Sequence, residues 1–229
     1  MTAWQARRLL LTAVAVVVVK VDVETVIGYR RYLPPDFTTG FLIGREDAFF
    51  DWYRWAFWAH LAAGPLTLLL AVPLNSNRFL VRHRRWHRRL GRLQAGLILA
   101  VLVPSGLAMA QRAAAGPVAV VAFSLLSVAT GVTTAIGVGE AIAGRLVSHR
   151  RWMQRTTVLL GSAVVIRLLG GAATLADWNA AWIDPTLAWV CWLGPLAVLE
   201  GLRRIRERSE RRFRPAGRSK RVQPTPVEV

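Results

Sequence analysis

The chain has 229 residues and is 54% apolar, yet it carries 30 Lys and Arg and a formal net charge of +17. Charge at that level coexists with so much apolarity only when long apolar runs are segregated from charged segments, which excludes an ordinary soluble domain and points to an all-α integral membrane bundle. The single cysteine, Cys191, excludes an internal disulfide and a cysteine-rich metal site.

A hydrocarbon core about 30 Å thick takes roughly 20 mostly apolar residues per helix, and six segments are predicted to cross it. The first, at about residues 9–27, follows Arg7 and Arg8 and carries Lys20, Asp22 and Glu24 in its later half. No small-residue cleavage site follows it, so it is read as an uncleaved helix. Residues 28–53, with Pro34, Pro35 and Gly40, read as a loop. The second helix, about 54–74, contains His60 and Pro65; a basic loop runs to Arg92. The third, about 93–110, contains Pro104 and Gly106 as kink residues. The fourth, about 118–142, has Ala135, Gly139 and Ala143 at four-residue spacing, a pattern of close helix packing. A second basic loop, residues 143–155, leads to the fifth helix, about 156–175, which is interrupted by Arg167. The sixth spans about 185–202. Residues 203–229 are basic, contain Pro and lack apolar periodicity, so a disordered tail is expected.

Arginine placement sets the orientation. With the N-terminus inside, the inner segments hold 23 Lys and Arg against five on the outer side. Short loops rich in Lys and Arg stay cytoplasmic, so both termini are expected inside. The same asymmetry accounts for the basic patches without nucleic acid, and it leaves anionic lipid headgroups as the expected partner at the inner face. Trp52, Trp55, Trp178 and Trp182 fall at the outer boundary and Trp86 and Trp152 at the inner one, as an interfacial belt requires.

The two inner loops share a string. His83-Arg84-Arg85-Trp86 and His149-Arg150-Arg151-Trp152 each have an Arg six residues after the His, at Arg89 and Arg155. Helices two–three and four–five therefore read as two copies of one hairpin in parallel orientation.

The stretch His87-Arg88-Arg89-Leu90-Gly91-Arg92 resembles the His-Arg-x-x-Gly-Arg box of a bacterial family of predicted membrane proteins, domain of unknown function 2306. His149-Arg150-Arg151-Trp152-Met153-Gln154-Arg155 is similar to that family's second box, His-x-x-Trp-Met-x-Arg, and His60 and Arg167 fall where the family tends to carry His and Arg. The likeness covers roughly residues 50–175. It implies a multi-helix protein of the bacterial inner membrane and brings no activity with it. The resemblance singles out His87 in the first box, whereas the internal repeat pairs His83 with His149.

Two polar sites are candidates. At about 1.5 Å per residue, Lys20, Asp22, Glu24 and Arg167 lie roughly 17–22 Å above the inner surface, and His60 about 21 Å. Ionisable groups in lipid are costly and tend to face the interior and pair. The simple alternatives are a Lys20–Glu24 pair one helical turn apart with Arg167 snorkelling, or a site for a proton, a quinone headgroup or a small anion. Arg167 is expected to face inward against Asp22 or Glu24, packing helix one on helix five. The second site is cytoplasmic: His83, His87 and His149 with Arg92 and Arg155. His87 and His149 are candidate axial ligands of a haem b, with the arginines suited to its propionates. His60 lies about 20 Å from them along the normal and cannot share one iron with them.

No Gly-x-Ser-x-Gly, phosphate loop or His-Glu-x-x-His occurs. Two function classes follow: a redox protein holding haem or quinone within the bundle, or a small-solute or proton-linked transporter or non-catalytic membrane partner subunit using the charged layer.

Overall fold

The structure, a computed structural model, describes residues 3–38 and 40–212. It is all-helical, with no strand among the described residues. The long helices are α1 (Ala3–Gly28), α2 (Arg54–Leu74), α4 (Arg84–Ala110), α5 (Gly116–Ile142), α6 (Leu146–Leu175) and α7 (Ile183–Arg212); α3 is a short helix, Asn77–Arg82. Five stretches, containing α2, α4, α5, α6 and α7, are long and apolar enough to cross a bilayer. The sixth, α1, has 26 residues and at about 39 Å has the length to span, but it carries Lys20, Asp22 and Glu24 along the way.

Several boundaries differ from the sequence reading, for one physical reason. Both basic loops are largely helical: α4 begins at Arg84 rather than near residue 93, and α6 at Leu146 rather than near 156. Arginine is a good helix former, so a basic stretch adjoining an apolar helix extends it. The connections shrink to tight turns. Ser76 caps α3 by accepting from the Phe79 N–H. Between α5 and α6, Gly144 adopts φ +73°, its N–H donates to the Ala141 carbonyl and the Arg145 N–H to the Glu140 carbonyl. That is a Schellman turn, and its left-handed residue is glycine because a Cβ there is strained. Asp177, at φ +53°, plays the same part after α6.

At the other end, α7 continues to Arg212, where the tail was expected to be disordered from 203. Arg203–Glu200 and Arg206–Glu210 ion pairs, at i,i+3 and i,i+4, support the added turns. Residues 213–229 lie outside the described residues. The chain divides into two units, Met1–Leu196 and Ala197–Val229, and the sites below belong to the first.

The expected loop at 28–53 is instead a folded cap. Leu42, Ala48, Phe49, Tyr53 and Phe57 form a buried cluster with Tyr32, Phe37, Trp58 and Met109 packed against it. Arg45 ties it down, donating through Nε to the Arg112 carbonyl (3.1 Å) and through the guanidinium to the carbonyls of Phe41 and Ile43.

The bundle core is made where α1, α2, α4 and α6 meet, by Val21, Ala63, Leu68, Ala71, Ile98, Leu102, Leu160 and Val164. The helices α5, α6 and α7 pack through Ala119, Ala122 and Ala188 and through Leu159, Cys191 and Trp192. The packing of α5 against α6 is not through Ala135, Gly139 and Ala143, which are exposed. It runs through Thr133, Thr134 and Gly137, where a Cβ on Gly137 would lie 2.8 Å from Met153 Sδ. Residues two apart are roughly 200° apart around a helix, so the expected stripe faces away. Thr156 donates to Thr133 (3.1 Å), and both Thr133 and Thr134 bond back to backbone carbonyls of α5.

Candidate functional site

The polar layer around Asp22, His60 and Arg167 draws on α1, α2 and α6. As expected, α1 packs on α6 as well as on α2. The side chains do not pair as expected. Lys20 and Glu24 bond each other at 2.6 Å and are exposed, one turn apart on one face of α1. Asp22, two residues from each, points the other way and is 5% exposed; its Oδ2 is buried with no hydrogen-bond partner. Arg167 is exposed and donates to the Ala163 carbonyl of its own helix at 2.7 Å, so the expected buried ion pair is not formed. The i−4 carbonyl takes one arm of the guanidinium, and only Asp22, not Glu24, lies on the buried face of α1. Arg167 nonetheless stands close enough to act electrostatically on Asp22, Tyr29, Tyr32 and His60. Just beyond α1, burial pushes the Tyr29 hydroxyl up to about 12 against the pull of Arg167, so it stays protonated as a donor.

His60 is fixed by a π-turn in α4. Residues Ile98–Leu102 form the wider turn, immediately before Pro104, which offers no N–H to the carbonyl four residues back. Ser105 Oγ lies 2.6 Å from the Val101 carbonyl and 3.1 Å from that of Leu102, and His60 Nδ1 is 3.2 Å from the same Oγ. With the single hydroxyl proton given to a carbonyl, the network assigns the His60 proton to Nδ1 and leaves Nε2 the lone pair. Gly106 makes the approach feasible: a Cβ there would lie 2.8 Å from Ser127 Oγ and 3.4 Å from His60 Cε1.

At the arginine-rich end of the bundle the histidines separate. His83 ends α3 with its ring 5.6 Å from that of Phe79, and it is exposed. His87 is half-buried, with Nδ1 buried and without a partner, and it lies within electrostatic reach of His149. The histidine brought toward His149 is therefore His87. His149 Nδ1 is 2.7 Å from the Gly137 carbonyl; donation there leaves Nε2 as its free nitrogen. Arg92 lines a cavity with Arg85, Arg88 and Arg89, and Arg155 stacks over Trp152 at 4.4 Å. Among the described residues no group of three or more His, Cys, Asp or Glu could hold a metal ion.

The residues that sequence reasoning missed are the polar clamps. Gln94 is buried and donates to the Thr67 carbonyl at 2.8 Å, joining α4 to α2. Asn75 donates to Ala71 and to Thr157, joining α2 to α6. Isolated Gln, Ser and Thr in apolar stretches were the available signal.

A family model described as "Predicted membrane protein (DUF2306)" matches residues 57–202, more than half of the chain. No curated protein and no solved structure matches.

Proposed function

We propose a redox role for this chain, which belongs to the DUF2306 family of predicted membrane proteins: it takes a quinone headgroup into the outer polar layer between α1, α2 and α6. The observation that carries the reading is Asp22, a carboxylate buried in a membrane helix with one oxygen unpartnered, beside an Arg167 that has no carboxylate bound to it among the described residues and is open to the bundle's surface. A buried polar atom without a partner costs free energy that a ligand can recover. A quinone carbonyl accepts from Arg167, and a quinol hydroxyl donates to Asp22. The tail stays in lipid, on the side where Arg167 is exposed. The test is quantification of quinone extracted from the purified protein, together with titration of decylubiquinone against the intrinsic tryptophan fluorescence. Asp22→Asn and Arg167→Leu are expected to weaken binding on the order of tenfold each. Protein that carries no quinone and shows no saturable quenching would sink the reading.

A second reading is haem b between His87 and His149. It is supported by the free Nε2 of His149, oriented by the Gly137 carbonyl, and by the unpartnered His87 Nδ1. The absorption spectrum separates the two: a Soret band that shifts on dithionite reduction and is lost in His149→Ala belongs to this reading alone.

The inner-membrane location of a bacterial cell, with both termini cytoplasmic and anionic lipid at the inner face, is part of the proposal. The 23-to-5 split of Lys and Arg supports it. Reporter fusions after Asn179 and after Arg212 are expected to read periplasmic and cytoplasmic respectively, and a reversed pattern overturns the orientation. We also read α2–α4 and α5–α6 as parallel copies of one hairpin. In support, Arg89 lies over Trp86 at 5.6 Å and Arg155 over Trp152 at 4.4 Å, the same i,i+3 stacking in both boxes.

A further inference from the structure

The inner end of α4 gathers Arg85, Arg88, Arg89 and Arg92 around one cavity of about 280 Å³. Their spacing, i, i+3, i+4 and i+7, puts all four on one face of the helix, where like charges repel. All four are exposed, and among the described residues none is bound to a carboxylate. The arginine-lined hollow at the α5–α6 turn, formed by residues 144–148 and Arg151, is built differently. There Glu140 grips Arg145 through two bonds of 2.7 and 2.8 Å, so the cation is answered from within the chain. At the α4 cavity the answering charge has to come from outside.

We infer that the Arg85–Arg88–Arg89–Arg92 cavity is a binding site for a phosphate group. Several guanidiniums converging on one hollow present paired N–H donors to tetrahedral oxygens, an arrangement that suits phosphate better than a single carboxylate. The flanking side chains say where the rest of the ligand lies. Trp86 and Leu93, on the same helix, are 55% and 50% exposed, so the charged face borders an apolar one. A phosphodiester whose chains enter the bilayer meets both, whereas free phosphate meets only the arginines. The inference stands on its own observation and holds whether or not the quinone reading does.

The experiment uses the full chain in a neutral detergent, titrated with short-chain phosphatidylglycerol, with phosphatidylcholine of the same acyl length, and with inorganic phosphate. Retained lipid is read by native mass spectrometry and stability by the thermal midpoint. Phosphatidylglycerol is expected to stay bound and raise the midpoint, and phosphatidylcholine, with its opposing ammonium, to do neither. Arg88→Gln with Arg92→Gln should lower the affinity on the order of a hundredfold, two charge-assisted bonds being lost. Arg150→Gln with Arg204→Gln removes the same charge elsewhere and should change it little. Competition by inorganic phosphate assigns the site to a soluble phosphate, and its failure to compete assigns it to the lipid phosphodiester; either supports the site. Wild-type protein that binds neither phosphatidylglycerol nor phosphate in preference to phosphatidylcholine overturns it, whatever the variants do. So does equal weakening by the two double variants, which would mark diffuse attraction to a basic face.

Discussion

Arg45→Ala is expected to destabilise the protein by about 3 kcal/mol, the largest loss from any single truncation in the cap. The side chain is 6% exposed, and its guanidinium serves three carbonyls on two separate segments, Phe41 and Ile43 within the cap and Arg112 at the α4–α5 turn. It also lies 4.2 Å from the centre of the Phe41 ring. Removing it strands those acceptors and unties the cap from the bundle at once. Arg45→Lys keeps the charge but has a single nitrogen where three carbonyls diverge, so it should recover only a minor part. The thermal midpoint in detergent is the measurement, expected to fall by roughly 10 °C for Arg45→Ala. An unmoved midpoint would mean that the cap is held by its aromatic cluster alone.

Gly137→Val is expected to cost about as much, roughly 3 kcal/mol, by the opposite mechanism. A Cβ on Gly137 would stand 2.8 Å from Met153 Sδ and 3.4 Å from Trp152 Cβ. The methionine can swing aside; the tryptophan Cβ moves only with the backbone of α6. The same backbone carries His149, which bonds the Gly137 carbonyl, so the expelled helix takes that contact with it. Met153→Ala makes room for the sulfur clash alone. In the Gly137→Val background it should therefore return part of the stability, and the two substitutions should be coupled in a double-mutant cycle. Strict additivity of their unfolding free energies would show that α5 and α6 do not meet at this point.

The number of long helices and the depth of each charged residue follow from the sequence because both are counted along one axis. Angle around the axis is harder to obtain. Asp22 and Glu24 were equivalent partners for Arg167 when only depth was counted, yet they lie roughly 200° apart on α1, and one is buried while the other pairs with Lys20 in the open. The same two-residue offset separates the exposed Gly139 from Gly137, which α6 touches. An amphipathic soluble helix declares its buried face by its polar residues. In α5 the lipid-facing and bundle-facing sides are almost equally apolar, and Ser127, Thr130, Thr133 and Thr134 mark the one that meets α4 and α6. Helix ends are hard to read for a related reason: a basic run reads as a loop, although arginine at a membrane surface remains helical as long as its side chains reach water. The cap around Arg45 was illegible because its contacts join residues 41–45 to residue 112, a pairing that no local pattern encodes.

The π-turn at Ile98–Leu102 has a consequence for how the two ends of α4 are aimed. A turn that holds one residue more than an α-helical turn sets everything beyond it out of phase by about 100°. The heading of Ser105 and Gly106 toward His60 is therefore independent of the heading of His87 and the arginine face fifteen or so residues earlier. An ordinary helix would weld the two azimuths together, so that a rotation tuning one end would spoil the other. Here a single extra residue acts as a vernier between them, and excising one residue from 98–102 would turn the hydroxyl of Ser105 away from the imidazole while leaving the arginine-bearing end where it was.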